Sequence, residues 1–267
     1  MKNSVIILNT AAIYIAIDLS RIADPDILKA LSDQISTFYK MEIVRNFKKK
    51  PDFTIYYVAD EEYRFVKQQI RKGTSINYFL ETFSIGEDSA KIHYHVSIAQ
   101  FQFFLKLILQ SILGSRKGFI LHSSGITDDQ HAFLFLGPNG IGKSTIVDNL
   151  SQKYRPYADD MVIVRKIERE WYAFQLPLEK KRYKKIPDSK MPIRALFYLS
   201  QSKKTKLQKI SSTEASKKLL DQLIRNGLTK KNITYLFEFL AFVDHYILET
   251  PKKTAIKTIE GLVSSYQ

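Results

Sequence analysis

Cysteine is absent from the chain. Its absence excludes a disulfide framework, a thiol nucleophile and a cysteine-ligated metal site. It also fits a reducing compartment, so a cytoplasmic protein is expected. Uninterrupted apolar runs are scarce. Residues 1–19, MKNSVIILNTAAIYIAIDL, have an early lysine and many apolar positions. Asn9, Thr10 and Tyr14 interrupt them and no A-x-A cleavage site follows, so the segment reads as buried strand rather than as a secretion signal. Residues 98–113, IAQFQFFLKLILQSIL, carry Gln100, Gln102, Lys106 and Gln110. They are too few and too polar to cross a bilayer, which takes about 20 apolar residues. They read as a core helix, and no membrane partner is expected. Negative charge is short as well: 27 Asp and Glu stand against 41 Lys and Arg, a net +14. The two signs nearly balance as far as residue 150, so almost all of the surplus lies beyond it. Such a surplus is either a solvated lysine-rich face or a surface that attracts an anionic partner. Aromatic residues at base-stacking spacing are not apparent, so nucleic acid is not expected.

What is present suits a folded α/β protein. The hydrophobic fraction of 45% is ample for a core, and 267 residues accommodate one large domain or a catalytic domain with a smaller partner. Residues 5–8 and 13–19 read as strands. Asp24-Pro25 is a helix start, with Asp24 as N-cap and Pro25 in the first turn, and the helix should run to about Tyr39. Residues 53–58 and 91–98 alternate as strands do. These elements make a small N-terminal α+β part over residues 1–115, closed by the apolar helix. The stretch GSRKG at 114–118 is the clearest break.

Beyond the break the pattern changes. Strands are expected at 119–121, 132–136, 161–165, 171–176 and 195–199, a turn at 127–130, and a helix over 143–152. The tail from about Ser212 reads as helical, with a last strand and helix over 254–262. Residues 116–267 form the second predicted domain.

One motif lies where the physics of phosphate binding requires it. Gly137-Pro138-Asn139-Gly140-Ile141-Gly142-Lys143-Ser144 matches G-x-x-x-x-G-K-[ST], and Thr145 follows. The apolar run AFLFL precedes it and a helix follows. Glycines let backbone N–H groups turn inward around phosphate oxygens. The helix start offers its unpaired N–H groups and positive dipole end to the same anion. Lys143 supplies a point charge for the outer phosphates, and Ser144 a hydroxyl for Mg²⁺.

The loop alone does not say what becomes of the phosphate. A transporter motor would add an LSGGQ-like signature and a distant apolar strand ending in Asp-Glu, and the chain has neither. Instead Tyr157-Ala158-Asp159-Asp160 follows the loop helix at once, and Pro156 forbids a continuous helix, so the chain turns into a strand. Two acids beside a magnesium nucleotide can divide the work. One holds the metal, and the other accepts a proton from an attacking hydroxyl. Metal and lysine keep the first ionised, and crowding of like charge raises the proton affinity of the second.

The order Leu121-His122-Ser123-Ser124-Gly125, then FLFLGPNGIGKST, then Tyr157-Ala158-Asp159-Asp160 resembles the catalytic domain of HPr kinase/phosphorylase. It is more similar to the shorter HPr-kinase-like proteins, some of them encoded beside lasso-peptide genes. The match covers roughly residues 116–200. The resemblance implies a nucleotide-binding core like that of phosphoenolpyruvate carboxykinase, with a mixed, partly antiparallel sheet. It implies transfer of the γ-phosphate of ATP, with Mg²⁺, to a serine or threonine hydroxyl of a peptide or protein. It also places His122 near the phosphate site. On this basis Asp160 is taken as the base and Asp159 as the metal ligand beside Ser144, or the two exchanged. The bifunctional enzymes carry a second signature, with a glutamate and an arginine among glycines. The corresponding region here, LPLEKKRYKKIPDSK, has no glycine, and Glu179 is the candidate for that acid.

The same stretch packs six basic residues between Glu179 and Lys190. It is either a solvated loop or a docking segment for nucleotide phosphates or an acidic peptide. His93 and His95 lack a third ligand at metal spacing and read as structural; His131 and His245 give no signal. The expected catalytic set is therefore Asp160, Asp159, His122 and Lys143. Two rival readings are a small-molecule kinase acting on free serine or a sugar, and a nucleotide-sensing regulator without catalysis. A homo-oligomer is compatible with the sequence.

Overall fold

A computed structural model describes residues 4–40, 42–58, 83–93, 98–177, 186, 190–220, 230–251, 261 and 264. By its contacts the chain divides into two units, residues 1–108 and 109–267. Both units mix helices with mixed sheets, as an α/β protein should. Among the described residues no helix is long and apolar enough to cross a membrane.

The first unit opens with β1 (Val5–Thr10) and β2 (Ile13–Asp18), an antiparallel hairpin in register from Val5↔Asp18 to Thr10↔Ile13. The two-residue turn is Ala11-Ala12, and both residues sit at positive φ, 52° and 55°. That is the backbone of a tight hairpin turn usually made by Asn-Gly. Helix α1 (Pro25–Phe38) begins as expected: Asp24 Oδ1 accepts from the backbone N–H of Asp26 and Ile27, satisfying donors that the first turn leaves open. Strands β3 (Phe53–Val58), β4 (Phe83–Ile85) and β5 (Ser89–His93) complete a five-stranded sheet in the order β1-β2-β3-β5-β4. The expected strand at 91–98 thus starts earlier and is described only to His93; His95 lies outside the described residues. Helix α2 (Ile98–Ser115) is the expected apolar helix, and the division between the units falls inside it.

The second unit is built around a nine-stranded sheet. Strand β6 (Gly118–His122) passes through Ser123 into β7 (Ser124–Thr127), and β8 (Ala132–Leu136) leads to α3 (Lys143–Leu150). Strand β9 (Arg155–Ala158) passes through Asp159 and Asp160 into β10 (Met161–Ile167). Then come β11 (Glu170–Gln175), β12 (Met191–Gln201), β13 (Lys206–Lys209), α4 (Ser212–Leu220), α5 (Lys230–Phe242) and β14 (Asp244–Thr250). The path runs β6-β10-β11-β12-β8-β7-β9, with β14 on β12 and β13 on β14. Strand β12 is parallel to both β8 and β14, and the other pairings are antiparallel.

The central strand β8 is buried at all five positions. Leu134 and Leu136 join the core containing Leu236 and Phe239 of α5, while Phe133 and Phe135 join that of Ile146 and Val147 of α3. Cover on both faces is why AFLFL shows no alternation. The tail is not helical throughout: β14 follows α5 and fills the slot beside β12. Residues 254–262, apart from Gly261, lie outside the described residues.

Candidate functional site

Strand pairing brings three separate segments to one end of β8. Strand β7 is antiparallel to β8 with Ser124 opposite Phe135, so the start of β7 lies where the glycine loop leaves β8. Strand β9 is antiparallel to β7 with Gly125 opposite Ala158, and β10 is antiparallel to β6 with Met161 opposite His122. Ser123-Ser124 and Asp159-Asp160 therefore face one another across a seam where one ladder ends and the next begins. The Ser124 hydroxyl donates to the Asp159 carbonyl across that seam. Pro156 is accommodated because, among the described residues, β9 is an edge strand paired with β7.

The loop takes the backbone its glycines permit. Gly137, Gly140 and Gly142 have φ of 148°, 78° and 110°. A Cβ at Gly140 or Gly142 would meet nothing within 4 Å, so glycine is favoured there by conformation rather than by space. Gly142 is the N-cap of α3 and offers no side-chain cap, which leaves the first-turn N–H groups available to an anion. Lys143 is buried, and its Nζ donates to the carbonyls of Gly137 at 2.8 Å and Pro138 at 3.3 Å. Burial lowers the lysine pKa, and the charge of Asp160 works against that shift.

Loop and acids share one cleft of ≈ 420 Å³, lined by Asn139, Gly140, Gly142, Lys143, Ser144, Thr145, Asp159 and Asp160. His122 stands beside it, with Nε2 2.6 Å from Asp160 Oδ1. Gly137, Pro138 and Ile141 shape the loop from behind: a Cβ on Gly137 would come within 3.0 Å of Ile141 Cγ2. Ser144 and Asp159 are oxygen-bearing side chains in the lining of that cleft. Among the described residues no group of three or more His, Cys, Asp or Glu could hold a metal ion.

Sequence reasoning missed several supports of this site. The Ser124 bond to Asp159 was inside the quoted LHSSG segment, yet nothing in spacing assigns it. Ser123 is fully buried with no partner for its hydroxyl. Gln175 donates from Nε2 to the Tyr157 carbonyl at 2.7 Å and accepts from the Ile186 N–H at 2.8 Å; a lone glutamine at a strand end carries no sequence signal. Glu179 and most of the lysine-rich stretch lie outside the described residues.

No family model matches the chain, and no curated protein matches it. Among solved structures it is similar to the Hpr(Ser) kinase/phosphatase from Coxiella burnetii, at 13% identity and a TM-score of 0.32, over 55% of this chain and 95% of that one. A likeness at that score carries no argument about fold or activity. The functional reading rests on the residues of the cleft.

Proposed function

We propose that the chain transfers the terminal phosphate of a magnesium nucleoside triphosphate, ATP by motif resemblance, to a serine or threonine hydroxyl of a peptide or protein. The observation that carries this reading is the shared cleft: Asp159 and Asp160 line the same hollow as Lys143 and Ser144. Its volume lies within the usual range for small-ligand sites, about 300–1,000 Å³.

In this scheme the loop N–H groups, the α3 N-terminus and Lys143 bind the phosphates. Ser144 and Asp159 would hold Mg²⁺, which when bound neutralises charge on the phosphates. The acceptor oxygen forms a bond to the terminal phosphorus, the bridging P–O bond breaks toward the diphosphate, and the hydroxyl proton passes to Asp160. His122 donates to the Asp160 carboxylate and orients it. A basic protein at +14 favours an acceptor that carries acidic residues.

The test is incubation with γ-labelled ATP and Mg²⁺, with serine-containing acidic peptides, free serine or sugars as acceptors. Label on peptide supports the proposal. Label on a metabolite favours the small-molecule rival, and binding without turnover leaves a nucleotide sensor.

A further inference from the structure

The first unit holds a larger hollow than the cleft, a groove of ≈ 1340 Å³ along the outer edge of β1. Strand β1 is at the end of its sheet. Its even positions bond to β2, as the Leu19 N–H to the Ser4 carbonyl indicates, so the backbone groups of Val5, Ile7 and Asn9 point away from the sheet. The chain itself covers part of that edge. Asn9 N–H donates to the Glu42 carbonyl at 2.7 Å, and Val44 N–H donates to the Ile7 carbonyl at 2.9 Å. One bridge results, Leu8↔Ile43. Past it Asn46 adopts a left-handed φ of 57° and the pairing is not continued.

The rest of the edge, the Val5 N–H and carbonyl and the Ile7 N–H, belongs to residues that line the groove. Val5 itself is 44% exposed. The lining also includes Ser32, Ser36 and Thr37 of α1, Lys40 just past its end, and Arg45 and Lys49. Among the described lining residues Asp33 is the acid, and Lys48 and Lys50 flank Lys49 in sequence. An unpaired strand edge next to a helix is the geometry in which proteins receive an extended peptide as an added strand. The basic rim selects against cationic peptides and for anionic ones.

We propose that this groove binds an extended peptide segment bearing carboxylates, which adds to the Val5–Ile7 edge of β1 with its acidic side chains toward Lys40, Arg45 and Lys49. The site belongs to the first unit alone and does not depend on the phosphotransfer reading.

The experiment uses the full chain and fluorescein-labelled decapeptides of alternating valine with glutamate, or valine with lysine, read by anisotropy at low and moderate salt. The glutamate peptide should bind saturably and the lysine peptide at least about tenfold more weakly. Val5→Pro, which removes an outward N–H at an edge position where proline is tolerated, should weaken the glutamate peptide about tenfold. R45E/K49E, two exposed changes, should reverse the preference between the peptides without altering the thermal midpoint. Absence of binding overturns the proposal, as does equal affinity for both peptides or affinity unchanged by R45E/K49E. It is equally overturned if a labelled ten-nucleotide thymidine strand binds more tightly than the peptide, or if the chain is a dimer that Val5→Pro converts to monomer. Phosphotransfer, measured in parallel, tests the other site independently.

Discussion

His122 Nε2 and Asp160 Oδ1 meet at 2.6 Å at the end of the β6–β10 ladder. Asp160 is about half exposed at this contact and His122 one-fifth exposed, so the pair reaches the cleft with one oxygen already engaged. Under the proposed scheme His122 is a positioning residue. Asp160→Asn should lower kcat by about 10²–10⁴-fold, the range for loss of a general base, and leave nucleotide affinity near wild type. His122→Ala should lower kcat with KM for ATP little changed, and His122→Gln, which keeps a donor, should recover part of the loss. Steady-state kinetics with equilibrium nucleotide binding separates these outcomes.

Asp159 has a different task under the same scheme. Asp159→Asn should raise the Mg²⁺ concentration needed for half-maximal rate, whereas Asp160→Asn should not. A Mg²⁺ titration of both variants at saturating ATP checks the assignment, and an exchange of phenotypes would exchange the roles of the two acids.

His245 gives a pH-dependent contribution to stability. Burial lowers its pKa from 6.5, the bond to the Leu240 carbonyl opposes that shift, and Nδ1 is buried without a partner. The folded state thus disfavours the imidazolium. The unfolded chain binds the proton more readily, so stability is full above pH 6.5 and falls as pH drops from there toward the folded value. His245→Gln should flatten this part of the profile. Urea midpoints between pH 7.5 and 5 measure it.

The Ala11-Ala12 turn carries strain that one substitution can relieve. A left-handed alanine costs roughly 1–2 kcal/mol, and the extra freedom of glycine in the unfolded chain offsets about 0.4–1 kcal/mol of that. Ala12 is exposed and meets no packing constraint. Ala12→Gly should therefore stabilise the first unit by up to about 1 kcal/mol, seen as a higher thermal midpoint.

The features legible in the sequence are those coded by residue type at fixed spacing. The glycine loop was readable because three positive-φ glycines and the lysine that opens α3 leave few residue choices. The N-cap at Asp24 was readable for the same reason. Strands β7, β9 and β14 were not. The first two are four residues long, and β14 lies beside β12 with most of its positions buried, so partners rather than periodicity define them. The hairpin turn hid because two alanines stand where turn residues are usual. The glycine-rich break at 114–118 marks where the backbone bends after α2, whereas the division of contacts comes earlier, inside the helix. Pairing of Asp160 with His122 needed the register of β6 on β10, which no local pattern contains.

The seam has a mechanical consequence. Asp159 and Asp160 are suspended between two ladders, with β9 on β7 behind them and β10 on β6 ahead. The backbone of neither acid can shift without sliding one of those strands against its neighbour. The loop across the cleft is held differently, by the Lys143 ammonium on the carbonyls of Gly137 and Pro138, so one wall is fixed by strands and the other by a single side chain.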